Sequence, residues 1–443
     1  MDLSFLKVES LQDLASDKEP KPTAGIPLAV EETVRNILSS IRKKGQEAII
    51  DYVGKLDGYQ PSKWSDLKVN PSEIEEGYKY TQQYYPDLVK AMSTAVDNIT
   101  YYHRQQLKRE PSTWFITPEE GKKLGQLVKP LRRIGIYVPG GRYPYPSSVL
   151  MAAIPAKIAG VQEMVVASPP SPGGAANPAL LYLCRKLGID EIYKIGGAQA
   201  IGLFAYGCEE TARVDKVVGP GNIYVTCAKK EVFGEVGIDS LAGPSEVIII
   251  ADESADHRFV AADLLSQAEH DPRAVSILLT TSRKLANSVI DSLGVQMGLL
   301  SEYKQNLETA HSSLKNNCKV IFHPDMDQLI QASNQIGPEH LEIMCKKPED
   351  ILKQISNAGA IFLGNYTPVA VGDYMGGTNH IIPTSANVRF ASPLGVYDFL
   401  KKSSVLYYDQ HMLGKEGKYI QDFSAFEGLY AHNHSVKIRF EKD

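Results

Sequence analysis

From residue 133 onward the chain alternates short β-branched runs with helical stretches, and few folds can accommodate that alternation. The runs fall at 133–138, 163–168, 191–195, 216–218, 246–251, 275–280, 319–322 and 360–363. Helices between strands imply βαβ crossovers and a mostly parallel sheet, because a tight hairpin cannot join parallel neighbours. Runs lie on both sides of residue 243, and 443 residues exceed one simple core, so two α/β domains are expected. Ahead of them, about 26–124 reads as helical: Val34, Ile37, Leu38 and Ile41 recur at three- and four-residue spacing, as do Leu88, Met92 and Ala95. Residues 1–24 read as an arm closing on Glu19-Pro20-Lys21-Pro22. After Ser392 the pattern breaks up and ends in a strand-like 435–440, an extension of the kind that docks on a partner subunit.

A formal net charge of -5 gives no reason to expect nucleic acid or an anionic membrane as partner, and Arg132-Arg133 and Lys401-Lys402 read as solvated pairs. No apolar stretch approaches the ~20 residues of a bilayer span. The first residues lack the apolar region of a signal peptide, so a cytoplasmic location is expected. Cys184, Cys208, Cys227, Cys318 and Cys345 are scattered, without a paired motif, and read as reduced thiols.

Four segments carry side chains able to do chemistry. In 264–272, Pro272 ends a helix near Asp271, and Gln267 and His270 share one face, where an amide oxygen and an imidazole suit zinc. Alone, such a pair is more often a helix-end cap. In 337–342, a Gly-Pro turn delivers Glu339 and His340, two proton-transfer groups with different tasks, or simply a polar loop entering a strand. In 371–380, glycines surround Asp373, a hard oxygen ligand, and His380 offers another imidazole; a glycine-rich surface loop reads equally well. In 427–434, Glu427 is followed by His432 and His434; a tail histidine is usually just exposed, but this one can complete a Gln/His/Asp/His set. No dinucleotide glycine fingerprint occurs. Three glycine clusters (Gly135 to Gly141, Gly196-Gly197-Ala198-Gln199 and Gly219-Pro220-Gly221-Asn222) can form turns at strand ends, where open α/β sheets bind ligands.

Taken in order, GIYVPGG, GGAQAI, VDKVVGPGN, AGPSEV, DLLSQAEHDP, SNQIGPEHLEI, GDYMGGTNHIIPT and EGLYAHNHSVKIR resemble histidinol dehydrogenase over roughly residues 30 to 440. The resemblance implies an intertwined homodimer of two incomplete Rossmann-like domains with N- and C-terminal extensions. It divides the chain into the arm 1–24, a discontinuous α/β domain (25–136 and 243–392), an NAD-contacting α/β domain (137–242) and a dimerisation tail (393–443). It implies one zinc per active site on Gln267, His270, Asp373 and His432, the last from the other subunit. Glu339 and His340 are implied as proton-transfer residues. Ser245, Gln267, His270, His340, Asp373, Glu427 and His432 are implied to contact L-histidinol, and Tyr137, Gln199 and Asn222 to contact NAD. The implied activity is oxidation of L-histidinol through L-histidinal to L-histidine with two NAD.

Two features depart from a plain match. His434 shares a side with His432 on an extended strand and competes as the ligand. Residues 142–146 (RYPYP) form a bulky loop. Other readings are a dehydrogenase of the same fold acting on another polar alcohol, a zinc hydrolase, and a non-catalytic zinc scaffold. Glu427, suited to a cationic amine, and the intact GPEHLEI argue for histidinol.

Overall fold

The computed structural model describes residues 3–16, 26–140 and 145–441; the Glu19-to-Pro22 stretch and most of the bulky loop lie outside them. Its strands, in chain order, are β1 (Val8–Ser10), β2 (Trp114–Glu119), β3 (Lys122–Pro130), β4 (Arg133–Tyr137), β5 (Glu163–Ser168), β6 (Glu191–Lys194), β7 (Lys216–Val218), β8 (Gly237–Ile238), β9 (Glu246–Ala251), β10 (Val275–Thr280), β11 (Cys318–Phe322), β12 (His340–Met344), β13 (Ala360–Leu363) and β14 (Leu400–Tyr408). They form three sheets: β6-β5-β4-β7-β8, β1-β11-β10-β9-β12-β13 and β14-β3-β2.

The first two sheets are parallel throughout. Counting strands within each, both run third, second, first, fourth, fifth, with β1 added outside β11. The repetition is topological and leaves no trace in the sequence. Each sheet is buried on both faces, which explains its near-continuous apolar strands. On β9, Val247, Ile249 and Ala251 face one core while Ile248 and Ile250 face the other, the period-2 alternation of a strand. Leu341 and Ile343 of β12 face the second of these cores, so His340 and Glu342 turn to the face covered by helix His257–Ala268.

Helices Leu28–Lys44, Gln46–Leu56 and Pro86–Leu107 bury Val34, Ile41, Val53 and Ile99 in the two cores that flank the five-stranded sheet. β4 is that sheet's central strand. Helix Pro86–Leu107 also reaches the second half, where Asn98 Nδ2 donates to Met375 O at 2.8 Å. Packing therefore ties much of 25–136 to the sheet of 137–242 as well as to 371–375.

Two local expectations need correction. Helix ends at Leu107, and 114–130 is an antiparallel hairpin whose strand β3 pairs with β14 over nine residues. Residues 435–440 are not extended: helix Tyr430–Lys437 and a short 3₁₀ turn occupy them. Val436 packs there so closely that a Cβ on Gly417 would lie 3.0 Å from its Cγ1, so helix–helix contact replaces the strand. Among the described residues no helix is long and apolar enough to cross a membrane. All five cysteines are free thiols.

Candidate active site

At the amino edge of the six-stranded sheet, β9 and β12 lie side by side and begin with Glu246 and His340. Both side chains are buried, as is Glu339. His340 Nδ1 lies 3.0 Å from the carbonyl oxygen of Glu246. A carbonyl only accepts, so Nδ1 carries the proton and Nε2 keeps a free lone pair. Burial pushes the imidazole down to about 4, with His270 and His380 opposing its charge as well, so it is neutral near pH 7. The carboxylate of Glu339 accepts from the Glu246 backbone N–H at 3.0 Å and from Ser245.

Burial, above all, raises the Glu339 carboxyl well above the usual range, helped by the nearby carboxyls of Glu246 and Asp373. Burial likewise raises Glu246 to about 7 and Asp373 to about 6. Among the described residues no lysine or arginine pairs with any of the three. Three neighbouring carboxyls, two buried and one half-buried, without a lysine or arginine among them make a site short of positive charge. Glu246 also accepts from the backbone N–H of Ser385, which with Ala386 holds the left-handed conformation (φ 54 and 63°) without being glycine. Such strain persists only where the surroundings fix it.

Helix His257–Ala268 returns to this edge and ends as Pro272 requires. Gln267 is buried with its Nε2 lacking a hydrogen-bond partner, and His270 and Asp373 both line a cavity of ≈ 700 Å³. Leu88, Met92 and Leu150 form the cavity's apolar wall. Asp373 sits in the π-helical turn Val371–Met375, whose carbonyl at Asp373 accepts from His380 Nδ1 at 3.1 Å. His380 thus orients the Asp373 turn, and burial pushes its own imidazole to about 4.

Zinc fits this donor set in part. Gln267 supplies an amide oxygen, His270 an imidazole and Asp373 a carboxyl, beside carboxyls that a dication would bring down. Among the described residues no three His, Cys, Asp or Glu side chains gather at metal-ligating spacing, and the donors from this part of the chain include two of those types. A fourth donor must come from elsewhere. Glu427 and His432 do not join these residues within one chain: they are exposed and line a separate cavity of ≈ 540 Å³ with Tyr419 and Phe423. His432 and His434 lie two apart on a helix, roughly 200° around its axis, so they do not share a side as an extended tail would require.

The five-stranded sheet presents the opposite edge. Tyr137 ends β4, Gln199 lies in the first turn of helix Gly197–Tyr206 after β6, and Asn222 precedes helix Ile223–Val232 after β7. The Tyr137 hydroxyl accepts from Gly197 N at 3.1 Å, and Gln199 Nε2 donates to Asp57 Oδ2 at 3.1 Å. Asn222 Oδ1 caps its helix, accepting from Tyr224 N and Val225 N at 3.0 and 3.1 Å. Gly219 is required here: its φ is +118°, and a Cβ would lie 2.1 Å from the Tyr137 carbonyl oxygen. Buried Lys229 and Asp239 pair beneath it; Asp239 Oδ2 accepts from Gly219 N at 2.8 Å, and Lys229 donates to Gly219 O at 3.1 Å. Sequence reasoning missed Glu246, Asp57 and the orienting role of His380. An acid opening an apolar strand (Glu246) was the one signal available.

Parallel sheets of matching order, with a neutral buried imidazole among carboxyls at a sheet edge, define an α/β enzyme. The chain belongs to the histidinol dehydrogenase family: the family model described as histidinol dehydrogenase matches residues 23–440. It is 46% identical over 413 residues to the histidinol dehydrogenase of Heliobacterium mobile, covering 93% of this chain and 94% of that one. It is 42% identical over 438 residues to that of Oceanobacillus iheyensis, covering 99% and 100%. The crystal structure of histidinol dehydrogenase from Elizabethkingia anophelis superposes with a TM-score of 0.84 at 33% identity, covering 99% of this chain and 96% of that one.

Proposed function

We propose that the chain oxidises L-histidinol through L-histidinal to L-histidine with two NAD, closing histidine biosynthesis. The observation that carries this reading is the buried, neutral His340, tied through Nδ1 to the Glu246 carbonyl at 3.0 Å and so left with Nε2 as a base. His340 takes the proton of the substrate hydroxyl as the carbinol hydrogen leaves as hydride. Glu339 then takes a proton from the water that adds to the aldehyde. His340, again neutral, accepts the hydrate's proton in the second oxidation. Burial of both groups keeps the aldehyde from bulk water between steps.

Gln267, His270, Asp373 and the His432 of a second copy would hold zinc, which when bound supplies a template for the substrate's imidazole and amine. Ser245 and Glu427 complete the substrate contacts, and Tyr137, Gln199 and Asn222 the NAD contacts on a Rossmann-like edge. Support for an intertwined homodimer comes from the tail, where Phe423, Phe426 and Tyr430 are 72%, 92% and 72% exposed beside His432, more apolar surface than a lone helical hairpin leaves open. A soluble cytoplasmic enzyme is the setting this reading requires.

The test is the NADH formed per L-histidinol consumed, before and after chelation. Two NADH, histidine as product and loss of activity on chelation are expected; one NADH would reduce the reading to an ordinary alcohol dehydrogenase, and none would refute it.

A further inference from the structure

In a doubly wound sheet of this order, the ribose of a dinucleotide is met by an acid near the carboxyl end of the second strand, which accepts from the 2′-hydroxyl and repels a 2′-phosphate. Here that strand is β5, and the residues after it are Pro169 and Pro170, with no acid of their own. An acid arrives from elsewhere. Asp57 closes helix Gln46–Leu56, outside the sheet altogether. The segment that follows is pinned along the free edge of β6, where Lys194 N donates to Leu67 O at 2.8 Å and Val69 N to Ile192 O at 2.9 Å. The carboxylate is thereby carried to the carboxyl ends of β5 and β6.

Its two oxygens are used differently. Oδ2 accepts from Gly196 N at 2.9 Å and from Gln199 Nε2 at 3.1 Å. Oδ1 has no hydrogen-bond partner among the described residues. A Cβ on Gly196 would lie 2.5 Å from Oδ1 and 2.9 Å from Pro169 Cβ, so the free oxygen and the end of β5 converge on one point. No lysine or arginine pairs with Asp57 to neutralise it, again among the described residues.

We propose that Asp57 sets the enzyme's preference for a dinucleotide without a 2′-phosphate, accepting from the ribose hydroxyl through Oδ1 while positioning Gln199 through Oδ2. This rests on the reading that the Tyr137, Gln199 and Asn222 edge holds NAD. A residue that only braced the Gly196 turn would weaken NADH and NADPH alike, whereas a carboxylate facing the ribose discriminates between them.

The experiment is equilibrium titration of the full-length, zinc-loaded protein with NADH and with NADPH, followed by nucleotide fluorescence. Wild type, Asp57→Asn, Asp57→Ser, Gln199→Ala and Asn222→Ala are compared. In wild type NADH should bind more tightly by at least about tenfold, the scale of one like-charge contact. Both Asp57 variants should narrow that ratio to under about threefold, chiefly by improving NADPH. If both variants keep the wild-type ratio, or lose both nucleotides equally, the proposal is overturned. If Gln199→Ala and Asn222→Ala leave NADH binding untouched, the cofactor edge itself has been misread and the proposal falls with it. If those two weaken NADH while Asp57 changes nothing, the edge stands and Asp57's role fails alone.

Discussion

Replacing Asp239 with asparagine would isolate the charge beneath the cofactor loop. The side chains of Lys229 and Asp239 are each 3% exposed, and both grip Gly219, one at its carbonyl and one at its N–H. Breaking such a pair from one side leaves a buried charge uncompensated, which costs about 3–5 kcal/mol, whereas replacing both partners with apolar residues costs little or nothing. For a unit of this size that corresponds to roughly 6–20 °C in Tm. Trp64 packs against Tyr193 inside this half of the molecule at 5.5 Å between ring centroids, so its fluorescence reports the unit directly once exposed Trp114 is changed to phenylalanine. In that background Asp239→Asn should melt far earlier than the parent, and Lys229→Met/Asp239→Leu should recover most of the loss. A double-mutant cycle with additive losses, or a single variant costing under about 1 kcal/mol, would refute the reasoning.

Gly219→Ala places a Cβ 2.1 Å from the Tyr137 carbonyl in a backbone of φ +118°; it should cost about 2–4 kcal/mol in urea unfolding and raise the KM for NAD more than that for L-histidinol. Asp263 and Glu342, buried side by side, are both raised by burial; the neighbouring Asp263 raises Glu342 further, while Asp263 itself, eased slightly by its hydrogen bond with Glu342, stands at about 6. Folded carboxyls that hold protons above their unfolded pKa contribute stability that is complete below about pH 4 and is lost as pH rises through about 6. Glu342→Gln removes one titrating partner, so its Tm should change less than the wild type's between pH 5 and 7; equal slopes would show that the pair does not share a proton. His432→Ala should lose tightly bound zinc by metal analysis while His434→Ala keeps it, and the reverse pattern would reassign the ligand.

Legibility followed burial. The eight runs at 133–138 to 360–363 all became strands of the parallel sheets because burial on both faces leaves them nearly continuous apolar stretches. β2 is exposed along its whole length and β3 carries Lys122, Lys123 and Gly125, so neither shows a periodic signal; the other edge of β3 is paired by β14, some 270 residues away. β12 stood outside the eight runs and was legible only as a polar loop entering a strand, because it opens His-Leu-Glu, two polar side chains turned to the helix that carries Asp263 and Gln267. The site was legible as motifs on Gln267, His270, Glu339, His340 and Asp373, which the fold brings to one edge or cavity. Glu246 and Asp57 were not, since each acts through a neighbour far away in sequence.

The pairing of β3 with β14 has a consequence for how the chain is made. Nine residues of β3 wait for a partner synthesised about 270 residues later, roughly 15–55 s at ordinary elongation rates of 5–20 residues per second. Until then β3 is an open edge on a nascent chain, the kind of template that recruits wrong strands. Lys122, Lys123 and Lys129 lie along it, and their charge keeps strangers off while the ribosome finishes. A strand made late, β14, is thus the one that closes a seam opened about 270 residues earlier.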